Sequence, residues 1–143
     1  MIRKMEPRDR AEIIEMMRVF YTSPAVLSNG SEDIFICDID CCLSDSPYAE
    51  GYVFESDGVI CGYGMLARSY STEFGKPCIW LEDIYIKEEF RGLGYGSRFI
   101  EFVGELYPDA VLRLEVEQEN ERAVAVYEKN GFTVLPYMEM KKE

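Results

Sequence analysis

The sequence contains no histidine, and this absence excludes several kinds of catalytic machinery. Ser-His-Asp and Cys-His nucleophilic sites cannot be built in this chain, because both use an imidazole as the base. Acid–base chemistry must therefore fall to carboxylates, tyrosine, lysine or cysteine. The chain also has no Cys-x-x-Cys pair, so without histidine we expect no metal site.

Positive charge is scarce: 15 lysine and arginine residues stand against 27 aspartate and glutamate residues, which gives a net charge of −12. Such a surface repels nucleic acids and anionic membranes, so we expect neither as a partner, whereas cationic molecules are tolerated. No apolar run is long enough to cross a bilayer, and "MIRKMEPRDR" lacks the apolar core of a signal peptide. We therefore expect a cytoplasmic protein whose cysteines are buried free thiols.

Two helices are predicted in the first third of the chain. Apolar residues recur at helical spacing after Asp9, which is a plausible N-cap for the first helix. A second helix is expected from about residue 31 to residue 43, with Ser31 as its cap. Its apolar stripe is expected to contain Ile34, Cys37 and Cys41.

The rest of the chain alternates between strand and helix patterns. Two β-rich runs flank Asp57-Gly58, which is a strong hairpin signal, and "CIWLEDIYI" predicts a third long strand. A helix, a strand and a further helix follow, and "FTVLPYMEMKK" then predicts two short strands interrupted by Pro136. The element order is β-α-α-β-β-β-α-β-α-β-β, which indicates one α+β domain over residues 1–143 with a mixed sheet.

The stretch "EEFRGLGYGSRF" places three glycines between the third long strand and a helix. Such a turn is typical of anion binding, because free amides and the positive end of the helix dipole coincide there. A Walker A loop is absent, and a Rossmann fingerprint that begins with Gly92 and Gly94 fails at Ser97. The pattern that fits is Arg-x-x-Gly-x-Gly, from Arg91, Gly94 and Gly96. A helix start that is merely rich in glycine remains the alternative for so short a motif.

Two longer stretches resemble a known family. "LEDIYIKEEFRGLGYGSRFIEF" followed by "NERAVAVYEKNGF" is similar to the paired signature of the GCN5-related N-acetyltransferases, the GNAT family. The resemblance covers most of the chain and is strongest over residues 81–132. It implies a mixed sheet of about seven strands, splayed between strands 4 and 5, with four helices. It also implies acetyl-CoA as the co-substrate, bound in the V-shaped gap, and a homodimer is one option for assembly.

The resemblance assigns roles to individual positions. The main chain of residues 84–86 is expected to pair with the pantetheine arm, and the amides of residues 92–97 to hold the pyrophosphate. The residue that matches Asn120 hydrogen-bonds the cofactor in the family, and the small side chain of Ala123 permits close approach. The implied cofactor-binding residues are Ile84, Tyr85, Ile86, Arg91, Gly92, Leu93, Gly94, Tyr95, Gly96, Ser97, Asn120 and Ala123.

Acetyl transfer to an amine needs a base, a group that stabilises the oxyanion, and a proton for the departing thiolate. Glu82 is the expected base, and the alternative is that it ends a strand or pairs with arginine. Tyr127 is the expected acid, because a phenol can protonate a thiolate, and the alternative is an aromatic side chain packed in the core. An amide of the fourth strand, that of Ile84, is expected to support the oxyanion.

The sequence therefore predicts an acetyl-CoA-dependent N-acetyltransferase that transfers the acetyl group directly to a primary amine. A small amine or a polyamine is favoured, because "WLEDIYI" and the following loop look like the corresponding stretch of diamine and polyamine acetyltransferases. The alternatives are a protein or peptide N-acetyltransferase on the same fold and a non-catalytic sensor that binds acyl-CoA.

Overall fold

In the computed structural model, which describes residues 1–143, five β-strands and four α-helices follow one another along the chain. None of the helices combines the length and the apolar character that a membrane span requires. In chain order the elements are β1 (Ile2–Lys4), α1 (Arg10–Tyr21), α2 (Glu32–Leu43), β2 (Ala49–Ser56), β3 (Val59–Ser71), β4 (Lys76–Ile86), α3 (Tyr95–Leu106), β5 (Val111–Leu114) and α4 (Glu121–Lys129).

The starts of α1 and α2 are fixed in different ways. Ser31 caps α2 as predicted, since its hydroxyl accepts a hydrogen bond from the Ile34 amide at 3.3 Å. Asp9 precedes α1, but its side chain makes no cap. Its carboxylate instead accepts two hydrogen bonds from the Arg3 guanidinium, at 2.8 and 2.9 Å. This pairing lowers the pKa of Asp9 and ties the start of α1 to β1.

The buried face of α2 differs from the predicted one. Phe35 and Ile39 are buried against α1 and the sheet, whereas Ile34 is half exposed. The predicted stripe of Ile34, Cys37 and Cys41 was therefore wrong. Both stripes have helical spacing, so the pattern of α2 by itself does not choose between them. The choice was made by the packing of the whole helix on its neighbours.

The cysteines are free thiols, but they are not all buried. Cys61 and Cys78 lie in the core of the sheet, Cys41 and Cys42 are half buried, and Cys37 is exposed. Burial raises the pKa of Cys42 to about 12, so this thiol stays protonated. The expectation of buried thiols is therefore wrong for Cys37.

The sheet has the strand order β1-β2-β3-β4-β5. The first three pairings are antiparallel, and the pairing of β4 with β5 is parallel, so the sheet is mixed as predicted. Asp57 and Gly58 connect β2 to β3 with φ values of 51° and 78°. Positive φ at both central residues is what a two-residue type I′ hairpin requires, and the predicted hairpin is confirmed.

The predicted number of strands was wrong. The fold is α+β with four helices, but the sheet has five strands instead of about seven. Residues 132–143, here called the apolar segment, contain no strand. Pro136 has no N–H to donate to a strand partner, and the neighbouring strand β5 is only four residues long. The apolar segment therefore has a β-rich sequence but forms no strand, because it has no strand to pair with.

The sheet separates two hydrophobic cores. Helices α1 and α2 cover one face, and α3 covers the other, with α4 packed at the border of the second core. Successive side chains of β2 point to opposite faces of the sheet: Val53 faces α1 and α2, whereas Tyr52 and Phe54 face α3. Both faces of the central strands are therefore buried, which fixes where β4 can lie.

Gly62 of β3 allows close approach to β4. A Cβ atom at this position would lie 2.4 Å from the main-chain oxygen of Tyr85 and 2.8 Å from the Phe54 ring. Because the nearest atom belongs to the backbone, the clash cannot be relieved by a change of side-chain rotamer.

We expect Gly62→Ala to lower the free energy of unfolding by about 2 kcal/mol, because the added methyl group overpacks the contact between β3 and β4. Gly104→Ala is the control, since a Cβ on this α3 glycine meets no atom within 4 Å. It should stabilise the protein by roughly 0.5–1 kcal/mol, because alanine is the better helix former. Urea unfolding measures both changes, and equal stability of Gly62→Ala and wild type would contradict the prediction.

Candidate active site

Strands β4 and β5 run side by side for only part of their length. Residues Cys78–Leu81 pair with Val111–Leu114, and beyond this point β5 ends. Strand β4 continues to Ile86 with no strand on that side. The sheet therefore opens between its fourth and fifth strands, and this opening is called the cleft below.

A β-bulge in β4 lies where the cleft begins. Met65 of β3 pairs with Asp83, but the next residue, Leu66, pairs with Leu81. Glu82 is left as an extra residue without a partner on β3. A bulge of this kind changes the direction in which the neighbouring side chains point. Glu82 is consequently exposed at the mouth of the cleft, whereas Asp83 is buried.

The main chain of β4 presents free polar groups to the cleft. The Lys87 amide donates to the Cys61 carbonyl of β3 at 2.8 Å. Because successive residues of a strand point their main-chain groups to opposite sides, the Tyr85 amide also faces β3. The amides of Ile84 and Ile86 then face the cleft. Of the three β4 residues predicted to contact a cofactor, these two have main-chain groups available for it.

The chain between β4 and α3, residues 87–94, forms the glycine turn. Gly92 and Gly94 have φ values of 78° and 85°, in the left-handed region where a side chain causes strain. Gly94 stands at the N-cap of α3, and no side chain caps this helix. The first hydrogen bond of the helix runs from the Arg98 amide to the Gly94 carbonyl at 3.0 Å. The amides before Arg98 are therefore without helical partners, as in anion-binding helix starts.

The other predicted residues of this stretch have different surroundings. Leu93 is exposed, and Tyr95 is buried, with its ring stacked near Phe54 at 6.5 Å between centroids. Gly96 and Ser97 are half buried on the first turn of α3. Only the main chain of Tyr95 is thus available to a ligand, because its side chain anchors the helix in the core.

Three arginines surround the glycine turn: Arg91, Arg98 and Arg122, here called the arginine cluster. The Arg91 side chain donates to a main-chain carbonyl at the end of β4, and the Arg98 guanidinium lies 4.2 Å from the centre of the Tyr95 ring. An Arg122 nitrogen lies 3.6 Å from the position that a Cβ on Gly92 would occupy. None of the three pairs with a carboxylate. Sequence reasoning missed Arg122, although it lies only two residues after Asn120.

Helix α4 borders the cleft from the side of β5. The side-chain oxygen of Asn120 accepts a hydrogen bond from the Ala123 amide at 3.4 Å, so Asn120 is the N-cap of α4. Ala123 is half buried and lies one turn before Tyr127 on the same face. At the other end of α4, the Asn130 amide group donates to the Ser97 hydroxyl at 2.9 Å. This bond holds α4 against the start of α3.

Tyr127 lines a cavity of about 520 Å³ between β5, α4 and the apolar segment. Its ring packs edge-on against Phe132 at 5.9 Å, and burial raises the pKa of its phenol. A raised pKa keeps the hydroxyl protonated, so Tyr127 can donate a proton or a hydrogen bond. Trp80 and Glu115 line the same cavity.

A buried carboxylate stands next to Glu82. Asp83 accepts hydrogen bonds from the hydroxyls of Tyr21, at 2.9 Å, and Tyr63, at 2.8 Å. Burial raises the pKa of Asp83, and the two hydrogen bonds partly offset this rise. Neither Tyr21 nor Tyr63 is among the residues that the sequence assigns to the site. No sequence signal connects them to Asp83, because residues of three separate elements meet here.

Further carboxylates converge on the same end of the cleft. Desolvation and the charge of Asp83 raise the pKa of Glu82 and that of Asp38, the latter to about 6. Desolvation and a hydrogen bond with Glu139 raise the pKa of Glu115 to about 7. None of these side chains forms an ion pair. The carboxylate cluster consists of Asp38, Glu82, Asp83, Glu115 and Glu139.

The fold is similar to that of solved acetyltransferase structures. A possible acetyltransferase from Clostridium difficile 630 superimposes with a TM-score of 0.82 at 20% identity, over 100% of this chain and 96% of that chain. The aminoglycoside N-acetyltransferase AAC(6′)-Iy, in complex with the bisubstrate analog CoA-S-monomethyl-acetylneamine, gives a TM-score of 0.80 at 18% identity. That match covers 100% of this chain and 97% of the other. At these identities the likeness shows the fold.

Sequence similarity gives the family. The chain is 45% identical over 75 residues to thialysine N-epsilon-acetyltransferase from Bos taurus. The matched stretch is 50% of this chain and 44% of the bovine enzyme, so the chain spans about half the length of this relative. The model of the acetyltransferase (GNAT) family matches residues 11–132. This match covers most of the chain, which therefore belongs to the GNAT family of acetyltransferases.

Proposed function

We propose that residues 1–143 form one acetyltransferase domain that transfers an acetyl group from acetyl-CoA directly to a primary amine. The observation that carries this proposal is the separation of positive and negative groups along the cleft. Free amides and the unpaired arginine cluster lie at one end, and the unpaired carboxylate cluster lies at the other. An anionic cofactor suits the first end, and a cationic acceptor suits the second.

The residues of the cleft fit acetyl-CoA. The amides of residues 92–97 and the arginine cluster would hold the pyrophosphate, because a Cβ on Gly94 meets nothing within 4 Å and the turn is therefore open. The Ile86 amide and the Ile84 carbonyl, which face the cleft, would pair with the pantetheine arm as a neighbouring strand would, and the Ile84 amide stays available for the oxyanion. On the opposite side, Asn120 and Ala123 would contact the cofactor from α4. When bound, the cofactor supplies the acetyl thioester.

Glu82 and Tyr127 would carry the proton transfers. Glu82 takes a proton from the acceptor ammonium, directly or through water, so that the neutral nitrogen can attack the thioester carbon. The Ile84 amide then stabilises the oxyanion. As the C–S bond breaks, Tyr127 would donate its proton to the thiolate sulfur, whose conjugate acid has a pKa of about 8.5. The proton that the attacking nitrogen loses on becoming an amide would return, through water, to the Tyr127 phenolate.

The carboxylate cluster favours a small, positively charged acceptor. Negative side chains without cationic partners attract an ammonium group and raise its local concentration. A small amine or a polyamine fits this end of the cleft, and the bovine relative is named for N-epsilon-acetylation of thialysine. The alternative acceptors are a protein or peptide amine. The non-enzymatic alternative is a sensor that binds acyl-CoA without catalysis.

We expect Gly94→Ala to weaken CoA binding about tenfold, because the methyl group strains the left-handed turn that presents the amides. Gly75→Ala is a matched control: Gly75 also has positive φ, at 64°, and a Cβ there meets no atom within 4 Å, but it lies in the β3–β4 turn. Both variants should lose similar stability. Calorimetric titration with CoA should show the loss of affinity only for Gly94→Ala, and equal affinities would remove the glycine turn from the cofactor site.

We expect Tyr127→Phe to lower kcat by about 10²-fold, because the thiolate loses its proton donor. The Kd for CoA should stay unchanged, since the phenol contributes to the chemical step and not to cofactor binding. Tyr70→Phe is the control, because Tyr70 is exposed. Release of the CoA thiol measures turnover across a panel of amines. Wild-type protein that binds CoA but acetylates none of them would favour the sensor.

We expect Glu82→Gln to lower kcat/KM by about 10²-fold near pH 7.5, where an alkylamine of pKa ~10.4 is almost fully protonated. The loss should shrink towards pH 10, because the amine then deprotonates without a base. On the acid side, wild-type kcat/KM should fall as the pH drops through the raised pKa of Glu82. Glu101→Gln, at an exposed site on α3, is the control. A loss that is independent of pH would contradict the role of Glu82 as the base.

A further inference from the structure

From residue 135 onwards, the apolar segment presents alternate side chains to the cavity between β5, α4 and the segment itself. Leu135, Tyr137 and Glu139 belong to the lining of this cavity. Met138 and Met140 do not line it and are 84% and 87% exposed. This alternation is that of an extended chain, whose successive side chains point to opposite sides. The odd-numbered side chains of the segment therefore face the cavity.

Lys141 continues the odd-numbered series. It stands two residues beyond Glu139, a span of about 6–7 Å in an extended chain, and its side chain is long and flexible. The Lys141 ammonium pairs with Glu143 at 2.9 Å, and both side chains are more than 80% exposed. An exposed ion pair contributes little free energy. The ammonium group is therefore free to leave Glu143 and turn towards the cavity.

The groups that would carry the proton transfers lie on the same side. Tyr127 lines the cavity together with Glu139. Desolvation and the charges of Asp83 and Glu139 raise the pKa of Glu82, so Glu139 lies close to the proposed base. These carboxylates have no basic partner and attract an ammonium group. The apolar segment thus brings a primary amine of this chain to the place where an acceptor amine is expected.

We propose that the chain acetylates its own Lys141, a modification that rests on the acetyltransferase function proposed above. Glu82 takes one proton from the Lys141 ammonium, and the neutral nitrogen attacks the thioester carbon. A C–N bond forms, the C–S bond breaks, and Tyr127 protonates the leaving sulfur. The second proton of the nitrogen returns through water to the Tyr127 phenolate. The products are CoA and an uncharged acetyl-lysine.

The position of Lys141 distinguishes it from other lysines of the chain. Lys142 is the next residue and falls on the opposite side of an extended segment, with Met140. Lys87 is paired with Glu12 of α1. Lys4 is exposed on β1, at the edge of the sheet farthest from β5. Among these side chains, only that of Lys141 continues the series that lines the cavity.

The first test is mass spectrometry of peptides from wild-type protein incubated with acetyl-CoA. Acetylation of Lys141 should be at least ~10-fold faster than that of Lys4, because the amine is held beside the groups that act on it. Tyr127→Phe should remove most of this difference, since it leaves only the direct reaction of lysines with the thioester. Lys142→Arg is the matched control and should leave acetylation of Lys141 intact. Equal rates at Lys141 and Lys4 in the wild type overturn the proposal.

A second test asks whether the reaction occurs within one chain. Isotopically labelled Tyr127→Phe protein is mixed with unlabelled wild-type protein and acetyl-CoA, and the label identifies the chain from which each peptide comes. Reaction within one chain predicts acetylated Lys141 in the unlabelled chains alone, at a rate per chain that does not depend on protein concentration. Acetylation of Lys141 in the labelled chains at the wild-type rate overturns the proposal.

Release of the CoA thiol with free amines shows how far a negative result reaches. Wild-type protein that acetylates free amines but leaves Lys141 unmodified overturns self-acetylation and leaves the proposed function standing. Wild-type protein that acetylates neither Lys141 nor any free amine overturns both proposals.

Discussion

The early end of β5 is the constraint on which the rest of the structure depends. After Leu81, β4 keeps its antiparallel partner β3 but loses its parallel partner. Main-chain N–H and C=O groups that face an opening must find other partners. The result is a strand edge inside the molecule, which a ligand with its own amide groups can complete. The bulge at Glu82 lies at this same point and turns one carboxylate towards the opening and the next into the core.

The cleft separates charge along its length. At the glycine turn, the dipole of α3 and the arginine cluster produce a positive site on an acidic chain. At the bulge, the carboxylate cluster has no basic partner, and burial together with mutual repulsion raises the pKa of Asp38 and of Glu115. Like charges that lie close together repel each other, so each cluster is held together against its own repulsion. A ligand of opposite charge at each end of the cleft would relieve the repulsion within the arginine cluster and within the carboxylate cluster.

The same short strand has a second consequence on its outer side. Because β5 has only four residues and no outer neighbour, the apolar segment stays off the sheet. The cavity between them contains Tyr127 on one wall and the apolar segment on another. The geometry of the candidate site and the exposure of this segment are therefore linked.

The features that the sequence predicted correctly are local ones. The cap at Ser31, the hairpin at Asp57-Gly58 and the glycine turn depend on neighbouring residues and on allowed φ values, which are properties of short stretches. The buried face of α2, the bulge at Glu82 and the missing strands could not be predicted in this way. They depend on which partner a helix face or strand edge meets. The amino-acid sequence by itself determined most of the helices and strands and the glycine turn. Only the tertiary structure decided which charges converge on the cleft, because those contacts join residues far apart in the chain.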